Sequence, residues 1–259
     1  MSIALITGGA RRIGQAMVLT LAGRGYDIAI HCLNSGHEAE ITARKARALG
    51  VRAEVFQADI LDLDAVEGLI PRITSQMGSL SVLVNNASIF EYDNIHTATR
   101  ENWDRHFGSN LRAPFILSQS FAAQAPAAAP HGIGTEPVAA GLIVNMIDQR
   151  VLKPTPEFMT YSIAKAGLWD MTRMLSQALA PDIRVNAIGP GPTLQGAHQS
   201  TESFSRQRQS TILQRGADSK DITAALIYLL DARAVTGQLI CVDGGQHLAW
   251  QTPDVQGIE

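Results

Sequence analysis

Close to the N-terminus, the apolar run Ile3–Thr7 breaks into the turn Thr7-Gly-Gly-Ala-Arg-Arg-Ile-Gly14 and resumes as a helix-periodic stretch through Leu21. Gly23 and Gly25 end that stretch, and Asp27–Cys32 is a second apolar run. Strand, glycine-rich turn, helix and strand make a βαβ unit, which constrains everything downstream. Parallel strands need a covered crossover, so the sheet must carry helices on both faces. The turn also exposes backbone amides at a helix N-terminus, the arrangement that holds a pyrophosphate. A glycine-rich turn alone is weak evidence, with a plain tight turn as the alternative; its place between a strand and a helix strengthens the reading.

The alternation repeats. Helical patterns occupy Gly36–Leu49, Leu63–Met77, Asn102–Ala123, Tyr161–Leu179 and Ser219–Leu230. Strand patterns occupy Arg52–Gln57, Val82–Val84, Leu142–Met146, Ile183–Ile188 and Gln238–Val242. Strands alternating with helices predict one α/β domain spanning 1–259, with a parallel sheet. Two segments break the rhythm. Ala125–Ala140, rich in Ala, Pro and Gly, reads as an exposed loop, and 192–215 reads as a polar substrate loop with few core residues. The tail after Leu248 is frayed or packed on a neighbouring subunit.

Composition narrows the class. The formal net charge is -3 with both signs dispersed, so neither a nucleic-acid nor a membrane partner is expected. The two cysteines, Cys32 and Cys241, lie in strand-like runs and read as two buried free thiols. No apolar run reaches the roughly 18 residues of a membrane span, and the N-terminus lacks a basic leader. A cytoplasmic protein acting on a small molecule is expected, with no metal site.

Gly8, Asp59, Asn86, Asp148 and Pro190 all follow strand ends, where open parallel sheets bind ligands. Tyr161 and Lys165 lie four apart, on one helix face. A cation beside a phenol favours the phenolate, so Tyr161 is expected to exchange its proton nearer neutral pH than an ordinary tyrosine at about 10. Asp148 stands thirteen positions upstream. After the second strand, His31-Cys-Leu-Asn-Ser35 carries no acid to hold a ribose 2′-hydroxyl, and Arg11 and Arg12 sit in the glycine turn. That favours NADP(H) over NAD(H). Of the two arginines, Arg11 reads as the solvated one.

The set formed by the Thr7–Gly14 turn, Asp59, Asn85-Asn86-Ala87, Asn110, Tyr161-x-x-x-Lys165, Asn186 and Pro190-Gly191 resembles the short-chain dehydrogenase/reductase family over nearly the whole chain. The resemblance implies a Rossmann-type, doubly wound parallel sheet and hydride transfer with a nicotinamide. Tyr161 would donate or accept the proton. Lys165 would bind the nicotinamide ribose and lower the tyrosine pKa, and Asn110 would hold a relay water. The implied cofactor contacts are Gly8, Arg12, Ile13 and Gly14 in the first turn, and Asn34 and Ser35 after the second strand. Asp59 and Ile60, then Asn86, Ala87 and Ser88, follow the next two strands. Pro190, Gly191 and Thr193, with Tyr161 and Lys165, complete the set. The family suggests a homotetramer built on the helices around Asn102–Phe121 and Tyr161–Leu179.

Two departures point further. Arg12 replaces the turn's middle glycine, and Asp148 stands where the family places a serine. Both are similar to the pteridine reductases, as are Asn85-Asn-Ala-Ser-Ile-Phe90, Phe107-Gly-Ser-Asn110 and Val144-Asn-Met-Ile-Asp148. That subgroup implies substrate contacts from Arg12, Ser88, Phe90, Asp148 and Tyr161, with Phe90 stacking a flat ring. It usually has an arginine where this chain has Asn34. An ionised carboxylate only accepts hydrogen bonds, so Asp148 suits a substrate with N–H groups better than a developing alkoxide. The expected reaction is reduction of a C=N bond in a pterin or dihydropterin. A reductase of carbonyls, such as sugars or 3-oxoacyl thioesters, is a second reading, against which Asp148 argues. A non-catalytic dinucleotide-binding regulator is a third, against which intact Tyr161, Lys165 and Asn110 argue.

Overall fold

The computed structural model describes residues 2–130, 136–196 and 199–250. In chain order its first half runs β1 (Ile3–Ile6), α1 (Arg12–Gly23), β2 (Asp27–Cys32), α2 (Gly36–Arg47), β3 (Ala53–Gln57), α3 (Leu63–Met77) and β4 (Val82–Asn85). Next come α4 (Arg100–Phe107), a π turn (Gly108–Arg112), α5 (Ala113–Ala122), and the short strands β5 (Ala129–Pro130) and β6 (Pro137–Val138). The chain continues through β7 (Gly141–Met146), α6 (Met159–Ala178), β8 (Ile183–Pro190), α7 (Thr201–Gln209), α8 (Ser219–Asp231) and β9 (Leu239–Val242).

Seven strands pair in the order β3-β2-β1-β4-β7-β8-β9, all in parallel, as the alternation of patterns requires. Because successive strand residues point to opposite faces, each apolar run feeds two cores. Ala4, Ile6, Ile28, Val84 and Val144 pack with Met17 and Leu21 of α1 and Leu226 of α8. Ile3, Leu5, Leu83 and Ile143 pack with Leu69 and Ile73 of α3 and Phe121 of α5. This explains why the runs are unbroken rather than alternating: neither face meets water. The winding reverses at β1, which pairs with β2 on one side and β4 on the other. A crevice therefore opens at the carboxyl ends of β1 and β4.

Three expectations change. The segment 192–215 is not simply a loop, since it contains α7. That helix, TESFSRQRQ, buries none of its own residues, so it has no apolar stripe to read in the sequence; Ser200 caps it by accepting the Ser203 N–H. Cys32 is buried, but Cys241 is only half-buried because β9 is an edge strand of the sheet. The loop 125–140 is largely exposed but holds the small antiparallel pair β5·β6. Its centre, 131–135, and the tail beyond 250 lie outside the described residues. Among the described residues, no helix is long and apolar enough to cross a membrane.

Phe121 is among the largest fully buried side chains and sits where α5 meets the sheet. Phe121→Ala is expected to lower unfolding free energy by about 3–5 kcal/mol. Chemical denaturation followed by circular dichroism checks this, and a loss below about 1 kcal/mol contradicts the packing described.

Candidate active site at the carboxyl edge of the sheet

The strand ends are laced together by polar groups that the sequence places just past each apolar run. Thr7 Oγ1 accepts the backbone N–H groups of Asn86 (2.8 Å) and Ala87 (2.9 Å). The Asn86 amide returns two hydrogen bonds, to the carbonyls of Thr7 (2.8 Å) and Gly8 (3.2 Å). The glycine turn is thereby tied to the end of β4. A methyl group on Gly14 would lie 2.1 Å from the Gly8 carbonyl oxygen, so this turn admits no side chain there. Arg12 opens α1 in the left-handed region, at φ 54°, a conformation rare for residues other than glycine.

Sequence reasoning missed His31. Its Nδ1 accepts the Gly8 N–H at 3.2 Å, so Nε2 carries the proton and donates to the Ala58 carbonyl at 3.1 Å. Burial pushes its pKa down, which keeps it in this neutral form. The available signal was a single polar residue at the end of the run Asp27–Cys32.

Around this turn lies a cleft of about 530 Å³. Gly8, Arg12, Ile13 and Gly14 line it, as do Ser35, Asp59, Ile60, Asn86, Ala87 and Ser88. Asn34 is not among the lining residues and is exposed, so that expected contact is not brought into the cleft. Arg11 pairs with Glu38 at 3.5 Å on the surface. A second pocket of about 250 Å³ adjoins the first, with Arg12 and Ile13 lining both. Phe90, Asp148, Tyr161, Pro190, Gly191 and Thr193 line this second pocket. Ser88 faces the cleft rather than the pocket. Leu194, Gln199, Phe204 and Gln207 close its far side, so α7 and its approach form a wall the sequence left unordered.

At the pocket floor, the Tyr161 hydroxyl donates to Asp148 Oδ2 at 3.1 Å. Asp148 Oδ1 accepts the Arg150 N–H at 2.8 Å, and the Arg150 Nε lies 4.0 Å away. The Asp148 side chain is 19% exposed, so it stands in the pocket rather than in bulk water. Burial raises its pKa, opposed by the Arg150 N–H and charge. Phe90 stacks on Phe158 with centroids 4.4 Å apart and meets the Tyr161 ring edgewise at 4.7 Å. Arg150 lies over the far partner, 4.9 Å from the Phe158 centroid.

The expected shift of Tyr161 toward neutral pH is reversed here. Its pKa is pushed well above the ordinary tyrosine value, first by burial and then by the adjacent Asp148. Lys165 does not offset this, because its Nζ donates to the Met146 carbonyl at 2.7 Å and lies 5.8 Å from the phenol ring centroid. Asn110 is fully buried in the π turn, and its amide is engaged at both ends with the backbone of Ile89 (2.8 and 3.0 Å). Such turns often mark functional sites.

Residues 8–247 match the family model described as Enoyl-(Acyl carrier protein) reductase. The chain belongs to the short-chain dehydrogenase/reductase family. FolM alternative dihydrofolate reductase 1 from Brucella suis, solved in complex with NADP, is 43% identical with a TM-score of 0.90, and 98% of each chain is covered. The probable galactose dehydrogenase GalD of Rhizobium meliloti is 32% identical, covering 93% of each chain. The 3-oxoacyl-[acyl-carrier-protein] reductase FabG of Staphylococcus aureus is 30% identical, covering 95% of this chain and 98% of its own. Membership makes the protein an oxidoreductase.

Lys165 gives a prediction with a definite sign. Burial lowers its pKa to about 8, with Asp148 opposing the shift. Below that pH the fold must hold a buried ammonium; above it the native lysine is neutral while the unfolded one still binds a proton. The stability of the wild type relative to Lys165→Met is therefore expected to rise between pH 8 and the ordinary lysine pKa of about 10.4. Denaturant titrations across that window check it, and a flat or falling difference contradicts it.

Proposed function

We propose that the protein is an NADPH-dependent reductase of pterin or dihydropterin rings, similar to the pteridine reductases. One observation carries the reading: a carboxylate, at the position where the family resemblance implies a serine, lies 3.1 Å from the phenol oxygen in a shared pocket. A serine hydroxyl can donate to a developing alkoxide; an ionised carboxylate repels one. Asp148 instead accepts N–H donors of a heterocycle and shares proton delivery to a ring nitrogen with Tyr161. Burial and the adjacent Asp148 push the Tyr161 pKa up, so the phenol keeps the proton it shows to Asp148 and is an acid, the direction a reduction needs. Two groups this close titrate as a pair.

The cleft fits a dinucleotide. The turn at Gly14 has no room for a side chain, which lets phosphates approach backbone amides. No acid follows β2, and NADP is bound by the FolM relative, so NADP(H) is the cofactor of this reading. When bound, it supplies the hydride. Gly8, Arg12, Ile13, Gly14, Ser35 and Asp59 would hold it, together with Ile60, Asn86, Ala87 and Ser88. Pro190, Gly191 and Thr193 would border its nicotinamide end. Lys165 would hold ribose hydroxyls. Because the Asn110 amide is already engaged, a relay water there would use its backbone carbonyl. Phe90 offers a ring its face opposite Phe158. The segment 192–215 tunes substrate choice through the α7 wall.

A homotetramer built on α4–α5 and α6 belongs to this reading, supported by the apolar surface that Trp103, Phe115 and Met174 expose. A cytoplasmic location belongs to the same reading. The similarity to GalD and FabG favours a second one, reduction of a sugar or 3-oxoacyl carbonyl, which Asp148 opposes.

NADPH oxidation with dihydrobiopterin or dihydrofolate is expected to exceed that with a panel of ketones and 3-oxoacyl thioesters. The opposite ranking transfers the assignment to the second reading. Tyr161→Phe is expected to lower kcat by roughly 10²–10⁴-fold while NADPH binding, measured by fluorescence, is retained. Asp148→Ser is expected to depress kcat/KM for the dihydropterin roughly tenfold more than for a ketone. An equal or reversed effect removes the reason to prefer pterins.

A further inference from the structure

Helix α6, which carries Tyr161 and Lys165, starts without a cap of its own. Its N-cap residue is Phe158, in the left-handed region at φ 54° and with no side-chain oxygen to offer. A helix start leaves its first N–H groups without partners inside the helix. Here a residue 67 positions upstream of Thr160 supplies them. The Asp93 carbonyl accepts the Phe158 N–H at 2.8 Å. Its carboxylate accepts the Thr160 N–H at 3.1 Å and also the Thr160 hydroxyl.

A third side chain closes the arrangement. His106, at the end of α4, lies with Nδ1 2.7 Å from Thr160 Oγ1, while its Nε2 accepts the Glu91 N–H at 3.1 Å. That second bond fixes the tautomer: Nδ1 holds the proton and donates to Thr160, whose own proton goes to Asp93. Every donor meets an acceptor in a single consistent direction. Asp93 and His106 are 0% exposed and Thr160 3%, so no water substitutes for a missing partner. None of the three lines the cleft or the pocket.

We propose that Asp93, Thr160 and His106 form a buried positioning relay that fixes the Tyr161 phenol against the Phe90 wall of the substrate pocket. Thr160 is the residue before Tyr161. The His106 ring meets the Tyr161 ring edgewise at 6.0 Å, and Phe90, three residues before Asp93, meets the same phenol ring at 4.7 Å. The loop that carries the pocket wall and the helix start that carries the acid are thereby held in one frame. Alignment in proton transfer is sensitive to displacement, since about 1 Å can cost on the order of 10²-fold in rate.

Thr160→Val removes the hydroxyl at nearly constant shape, and Thr160→Ser restores it. Each is compared with wild type on NADPH with dihydrobiopterin and, in parallel, on NADPH with a 3-oxoacyl thioester. The comparison within one substrate holds whichever reading of the substrate is right. Thr160→Val is expected to lower kcat roughly tenfold or more, with KM and NADPH affinity changed by less than about threefold. Thr160→Ser is expected to return kcat to within about threefold of wild type. A valine variant with wild-type kcat, a serine variant as impaired as valine, or a loss confined to KM and cofactor affinity each overturns the relay. If the valine variant is not recovered folded, His106→Gln, which leaves both Asp93–Thr160 bonds in place, is judged by the same kcat and KM criteria.

Discussion

A phenol donating to a carboxylate in a pocket past the end of a parallel strand is the contact around which this chain is arranged. For it to form, the segment after β7 and the start of α6 must meet within hydrogen-bond reach, although thirteen residues separate the two groups. Lys165, one turn further along the helix, is drawn back to the Met146 carbonyl at the end of the same strand, which clamps helix to sheet. Burying three ionisable groups together is costly. It is tolerated because Arg150, through its backbone N–H and its charge, meets the carboxylate.

Much of this was legible in the sequence because it follows from periodicity and from residues with no conformational substitute. Runs such as Ile3–Thr7 and Leu142–Met146 are apolar on both faces only if both faces are covered, and that dictates a parallel sheet. The glycine at position 14 is dictated by a backbone approach too close for any side chain. With the strand ends placed, Asp59, Asn86, Asp148 and Pro190 had to gather along one edge.

What the sequence concealed depends on which partner a group selects in three dimensions. Spacing puts Lys165 beside Tyr161, but spacing cannot say that the ammonium bonds a carbonyl, and so the tyrosine shifts opposite to expectation. Helix α7 has no buried stripe and therefore no period. Asp93 is an isolated polar residue outside any pattern, His106 is one of several polar residues in a helical stretch, and capping from a distant loop leaves no local signature. His31 was overlooked for a related reason: a polar residue at a strand end looks like solvent-facing decoration until its acceptor nitrogen is seen beneath the glycine turn.

Arg12 has a consequence that reaches across the two compartments. Its guanidinium donates to the carbonyls of Gln195 (3.0 Å) and Leu194 (3.2 Å), so the residue that begins α1 also tethers the approach to α7. Because the same guanidinium lines both the cleft and the pocket, the wall between the two compartments is built on one side chain reaching from the first turn of the chain to a backbone more than 180 residues further on.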